Sequence, residues 1–192
     1  DERIRAAVEN FGGAAVMTSP NHQSGTERCA EVAALLNLAP DDVVVNIQGD
    51  EPYIRPEAID LLVSQFENPM VNIATLAKEF LPEEEPTNPN MVKVVFSKTG
   101  RALYFSRSVM PFYRNTEVPQ VHYKHIGIYA YRYHVLKELV DLPVSVLENS
   151  EKLEQLRWLE NDYEIFVRPC AYESVAIDTP EDLIRAEQIT TF

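Results

Sequence analysis

Val43-Val44-Val45-Asn46-Ile47 runs directly into Gln48-Gly49-Asp50-Glu51-Pro52, and this junction restricts the fold more than any other stretch. Three β-branched residues followed by Ile47 suit a central strand covered on both faces, and Gly49 with Pro52 ends that strand abruptly. The two carboxylates then sit at its carboxyl end. In open α/β sheets that end faces the ligand crevice, where a carboxylate can hold a divalent metal on a phosphate. A turn or helix cap built from Asp50 and Glu51 explains the same spacing.

With 192 residues, 45% of them hydrophobic, the chain can bury one sizeable core, most simply as a single domain over residues 1–192. Thirty acidic against seventeen basic residues leave a net charge of −13. Such a surface repels phosphate backbones, which argues against nucleic acid and for a small-molecule partner. An anionic ligand then needs a few local cations or a metal. Cys29 and Cys170 form no CxxC pair and no disulfide framework, which points to a cytoplasmic protein. No apolar run approaches the roughly 18 residues of a membrane span, and no signal-peptide pattern opens the chain.

Ile4, Ala7, Val8 and Phe11 already show helical spacing, so the sequence opens in mid-pattern, as though an amino-terminal piece preceded it. Ala14 to Met17 reads as a short strand. The polar loop from Thr18 to Arg28 leads into a helix marked by Cys29, Val32, Ala33 and Leu36, with Ser24 and Glu27 in capping-box spacing. Pro56 starts a helix with an apolar face at Ile59, Leu62, Val63 and Phe66, and Val71 to Leu76 reads as a strand. Val92 to Phe96 and Ala102 to Ser106 form a hairpin around Lys98-Thr99-Gly100. Ile126 to Tyr131 is a further strand, with Gly127 admitting a close approach. Val135 to Val140 is a helix, Leu153, Leu156 and Leu159 mark another, and Tyr163 to Val167 is a strand. Asp178-Thr179-Pro180 opens the last helix. Strands alternating with helices indicate an α/β fold with a mostly parallel sheet flanked by helices. The hairpin is an antiparallel insertion within residues 88–132, a subregion suited to sugar binding or dimerisation.

Asp178 follows a short apolar strand (Ser174 to Ile177), much as Asp50 follows its own. Two carboxylates reaching one crevice from separate strand ends make a hard-oxygen site for Mg²⁺ carrying substrate phosphates. The structural alternative is that Asp178 only begins a helix.

Seven motifs come in the order and rough spacing of the CMP-KDO synthetases (3-deoxy-manno-octulosonate cytidylyltransferases), which the whole chain resembles. They are His22-Gln23-Ser24-Gly25-Thr26-Glu27-Arg28; Val45-Asn46-Ile47-Gln48-Gly49-Asp50-Glu51-Pro52; Asn88-Pro89-Asn90-Met91-Val92-Lys93-Val94; Ala102-Leu103-Tyr104-Phe105-Ser106-Arg107; His125-Ile126-Gly127-Ile128-Tyr129; Leu153-Glu154-Gln155-Leu156-Arg157; and Asp178-Thr179-Pro180-Glu181-Asp182-Leu183. The resemblance implies a Rossmann-like sheet of the nucleotide-diphospho-sugar transferase type and a cytoplasmic homodimer. The implied activity joins CTP to the acid sugar KDO for lipopolysaccharide biosynthesis, giving CMP-KDO and pyrophosphate. Asp50 and Asp178 are its implied Mg²⁺ ligands. His22, Ser24, Gly25, Thr26, Arg28 and Gln48 are the implied nucleotide contacts, and Tyr104, Ser106, Arg107, His125, Tyr129, Glu154 and Gln155 the implied sugar contacts. Arg107 is the expected cation for the sugar carboxylate, which a guanidinium can grip bidentately.

Plainer readings stand beside these. Arg107 can pair with a surface acid, Glu154 can be a solvated helix residue, Tyr104 and Tyr129 can be strand core, and His125 a structural histidine. Family members also begin with a strand and a basic, glycine-containing loop around the triphosphate, and no such motif occurs in these residues. The rival functions are a cytidylyltransferase for sialic acid or amino-KDO, and a non-catalytic nucleotide-binding module.

Overall fold

Alternation along the longest strand, β5 (Tyr123–Arg132), sets the layering of the molecule. The computed structural model describes residues 1–172, 177, 183 and 184. Ile126, Ile128 and Ala130 enter one core and Tyr129 and Tyr131 the other, because successive strand side chains take opposite faces. β2 (Ile73–Glu79) runs antiparallel along one side of β5, from Ile73 opposite Tyr131 to Glu79 opposite Tyr123. Two strands share the other side. β1 (Val43–Asn46) pairs with residues 129–132, and β3 (Lys93–Phe96) joins through Lys93 opposite Lys124. β4 (Ala102–Ser106) completes the hairpin with β3, and β6 (Ile165–Pro169) lies parallel to β2. The order is β4-β3-β5-β2-β6, with β1 attached to β5.

Helices cover both faces. α3 (Pro56–Ser64) and the turn after it place Ala58, Leu62 and Phe66 on Ala74, Leu76, Ile128 and Ala130. On the other face α4 (Tyr133–Val140) and α6 (Gln155–Glu160) bring Leu136, Leu139, Leu156 and Trp158 onto Ile73, Ala77, Phe105, Tyr129 and Tyr131. Each fully buried Leu or Ile here contributes about 1.5–3 kcal/mol. α2 (Gly25–Leu35) lies at the margin of this core through Cys29 and Ala30. α5 (Val146–Glu151) precedes α6.

Several expectations change. The sheet is not mostly parallel: every described pairing except β2 with β6 is antiparallel, because β5 reverses direction between β1 and β2. β1 is not central either. Among the described residues it pairs only with β5, Val43 to Val45 are half-buried, and Ile47 is 42% exposed. Ala14 to Met17 is irregular rather than a strand, since no described strand offers it a ladder, and Val16 and Met17 stay exposed. The opening helix exists as α1 (Glu2–Asn10), but none of its residues is buried. The Ser174 to Ile177 strand and the last helix lie outside the described residues, apart from isolated positions. Residues 88–132 hold the expected hairpin together with β5, the sheet's middle strand. In the hairpin turn Gly100 adopts φ +86°, and a Cβ there would lie 3.1 Å from the Val167 carbonyl, so only glycine fits against β6. No helix among the described residues is long and apolar enough to cross a membrane.

Candidate active site

β1 ends at the buried Asn46, after which residues 47–50 leave the sheet and become exposed. The Glu51 N–H donates back to the Gln48 carbonyl at 3.2 Å, closing a turn. Neither acid caps a helix, for the N-cap of α3 is Arg55. The Asp50 carboxylate has no partner among the described residues, whereas its carbonyl accepts from the Ile177 N–H at 2.8 Å. Two segments far apart in sequence therefore meet at this strand end. Asp178 itself lies outside the described residues. The close approach at Gly127 is made by Glu51, whose Oε1 would lie 3.5 Å from an added Cβ.

The loop before α2 docks on the same strand end. A Cβ on Gly25 would lie 3.5 Å from Asn46 Oδ1 and 3.7 Å from Gln48 Oε1. Ser24 caps α2, its hydroxyl accepting from the Glu27 N–H at 3.2 Å. The reciprocal half of the expected capping box is replaced, because the Glu27 carboxylate accepts from the Gln23 N–H at 2.7 Å. Arg28 donates to Thr18 Oγ1 at 2.8 Å, to the Ser19 carbonyl at 2.9 Å and to the His22 carbonyl at 3.4 Å, folding the loop on itself. His22 stands between Glu27, at 3.3 Å, and Glu31. The Ser19 N–H, and then His22, hold the Glu31 carboxyl below the usual range. Thr26 turns inward and donates to Glu154 Oε2 at 2.7 Å. Among the expected nucleotide contacts, Ser24, Gly25 and Gln48 border the strand end; His22 and Arg28 brace the loop, and Thr26 ties it to α6.

Among the expected sugar contacts, Arg107 follows β4 and is bound largely by main-chain carbonyls. Its Nε donates to Glu151 O at 2.7 Å, Nη1 to Pro89 O at 2.9 Å and Nη2 to Lys152 O at 3.5 Å. Ser106 is buried and its hydroxyl donates to Glu151 Oε1 at 2.6 Å. Tyr104 is half-buried against the core, and burial, then Glu151, raises the pKa of its hydroxyl. The His125 ring lies between Phe105 and Tyr129, with centroids 5.1 and 5.2 Å away. The Thr75 hydroxyl donates to the Ile128 carbonyl at 2.7 Å, so its oxygen is left to accept from His125 Nε2–H at 3.0 Å. Desolvation lowers the His125 pKa to about 3. Tyr129 is core, 6% exposed, and its hydroxyl has no hydrogen-bond partner among the described residues. Glu154 is no solvated helix residue: it accepts from Thr26 and lies 3.3 Å from Arg157 Nη2, and burial raises its pKa against the pull of both. Gln155, buried, begins α6.

Residues 1–165 match the cytidylyltransferase family. The chain belongs to that family. It is 52% identical to the 3-deoxy-manno-octulosonate cytidylyltransferase of Phocaeicola vulgatus, with 97% of this chain and 77% of that protein aligned. It is 46% identical to the 8-amino-3,8-dideoxy-manno-octulosonate cytidylyltransferase of Shewanella baltica, over 98% of this chain and 77% of that one. A solved CMP:2-keto-3-deoxy-manno-octonic acid synthetase complexed with CTP superimposes with a TM-score of 0.89 at 40% identity, covering 97% of this chain and 76% of that one. A Bacillus anthracis protein provisionally named a glucose-1-phosphate thymidylyltransferase gives 0.62 at 16% identity, over 96% and 70% of the two chains, which shows a shared fold alone.

Sequence reasoning left several polar residues of this cytidylyltransferase without a role. Asn46 borders Gly25. Arg157 joins Glu148 at 3.0 Å to Glu154. Glu151 receives the end of β4. Lys93 is fully buried, and a lysine flanked by Val92, Val94 and Val95 was its signal, since a charge in an apolar strand needs partners.

His125 supplies a direct check on this geometry. Unfolded chains take up a proton near the ordinary histidine value of about 6.5, whereas the folded ring does so only near 3. Its contribution to stability is therefore complete above about pH 6.5 and declines as pH falls toward 3. In an NMR titration from pH 8 to 5 the His125 ring signals should stay at neutral-imidazole positions; a midpoint near 6 would contradict the enclosed ring.

Proposed function

We propose that this cytidylyltransferase transfers CMP from CTP to 3-deoxy-manno-octulosonate (KDO), releasing pyrophosphate and supplying an activated sugar for lipopolysaccharide synthesis. The observation that carries the reading is the docking of the amino end of α2 on Asn46 and Gln48 at the end of β1, in the same strand-to-turn segment that carries Asp50. It lies in a chain that superimposes closely on a synthetase solved with CTP. Glycine at position 25 leaves room for a nucleotide beside Gln48, and the first-turn N–H groups of α2 suit anionic or carbonyl oxygens.

Magnesium is part of the proposal. No group of three His, Cys, Asp or Glu side chains among the described residues suits a metal, so an all-protein cage is absent there. An exposed carboxylate with no partner among the described residues fits Mg²⁺ nonetheless, because this ion keeps waters and takes one or two carboxylates plus substrate phosphates. Asp50, with Asp178, would hold it, and its chemistry there would be neutralisation of triphosphate charge. Arg107 engages three of its five N–H groups with the protein, leaving two for the sugar carboxylate. The chain's task is then to set the anomeric hydroxyl in line with the α-phosphorus and exclude water, rather than to form a covalent intermediate.

A second reading, an 8-amino sugar as acceptor, is favoured by the Shewanella relative. Pyrophosphate release by the full-length protein from CTP and Mg²⁺ should be fastest with KDO, at least tenfold slower with 8-amino-KDO and undetectable with sialic acid. Faster release with the amino sugar would overturn the KDO reading. We also propose a cytoplasmic homodimer, supported by the exposed Leu103, Val109, Phe112 and Val118 within residues 88–132. Light scattering should give twice the chain mass, and a monomer at assay concentration would exclude it.

A further inference from the structure

Side chains of opposite charge grip both polar main-chain atoms of Arg107. Its N–H donates to Glu151 Oε2 at 2.8 Å, and its carbonyl accepts from Lys93 Nζ. Each gripping group is itself anchored. Lys93 also donates to the Asn88 carbonyl at 3.0 Å, while Glu151 accepts the Ser106 hydroxyl on its other oxygen. The Glu151 carbonyl takes the Arg107 Nε–H as well, so one residue holds both the backbone and the guanidinium of Arg107. Three elements converge here: β3 through Lys93, the end of β4 through Ser106 and Arg107, and the last residue of α5 through Glu151.

A fold needing only a hairpin does not need this arrangement. Lys93 is 0% exposed, and desolvation, then the charge of Arg107, lowers its pKa, while Glu151 opposes the shift. Burying an ammonium is unfavourable unless hydrogen bonds and an opposite charge offset it, and an apolar residue would serve a hairpin as well. What the ammonium does provide is direction: it fixes the Arg107 carbonyl, and Glu151 fixes the N–H on the other side. A guanidinium binds a carboxylate bidentately only when its plane is held in the right orientation.

We propose that Lys93 and Glu151 are positioning residues for Arg107, holding its guanidinium in the direction that receives the sugar carboxylate. This rests on the reading of Arg107 as the carboxylate-binding cation, which an independent variant examines. Steady-state kinetics on the full-length protein would compare Lys93→Met, Glu151→Ala, Glu151→Gln and Arg107→Ala, with Lys93→Met combined with Arg107→Ala.

Lys93→Met and Glu151→Ala should each raise the KM for KDO about tenfold while moving the KM for CTP less than twofold. Glu151→Gln, which keeps an acceptor oxygen, should lie between them and wild type. In the Arg107→Ala background Lys93→Met should cost nothing further, since it acts through the missing guanidinium. Equal rises in both KM values, or an undiminished effect of Lys93→Met without Arg107, would overturn the positioning role. A KDO KM raised by Arg107→Ala but untouched by the other variants overturns that role alone. An unchanged KDO KM in Arg107→Ala overturns the underlying reading of Arg107. Circular dichroism melts accompany each variant, and if Lys93→Met fails to fold, the Glu151→Gln comparison decides on the same KM criterion.

Discussion

The face alternation of β5 is the constraint on which the remaining structure depends. β1, β2 and β3 all bond to it, while β4 and β6 attach one strand further out. Its even-numbered residues from Ile126 to Ala130 fill one core, and the odd positions put His125, Tyr129 and Tyr131 toward the other. A one-residue slip would bury the wrong set on both faces, so register is strongly specified here. The strand end carrying Asp50 inherits its place from that register, because Asn46 lies opposite Tyr129.

On this frame the loops are held by polar side chains rather than by apolar packing. Thr26, Glu154, Arg157 and Glu148 form one chain of contacts from α2 to α5 and α6. Lys93, Glu151, Ser106 and Arg107 form another at the end of the hairpin. Removing one member of such a buried network strands the others without partners, which costs more than the bond itself contributes. The first ties the amino end of α2 to α6, and the second holds the residue that follows β4. The expected contacts Thr26, Ser106 and Arg107 are thus each held by other side chains of the protein.

The apolar strands, the hairpin and most helices were legible because periodicity and turn residues act locally. Strand direction was not. Val43 to Ile47 has the composition of a doubly covered strand, yet its pairing depends on where a strand more than seventy-five residues later returns, and no local pattern records that. α5 carried a signal that went unread, since Ser145 and Glu148 form a complete capping box. Within the site, motifs located the segments but not the partners. Arg28, Thr26, Ser106 and Arg107 are donors in any reading of the sequence; that the protein itself consumes much of their capacity becomes visible only in three dimensions.

The account turns on Asp50 presenting a metal to nucleotide phosphates at the carboxyl end of β1. Anomalous diffraction from crystals of the full-length protein with CTP and Mn²⁺ in place of Mg²⁺ tests this most directly. The account predicts a manganese peak about 2.0–2.2 Å from an Asp50 carboxylate oxygen and in contact with a triphosphate oxygen. A peak bound elsewhere, or CTP lying with its phosphates away from Asp50, would contradict it.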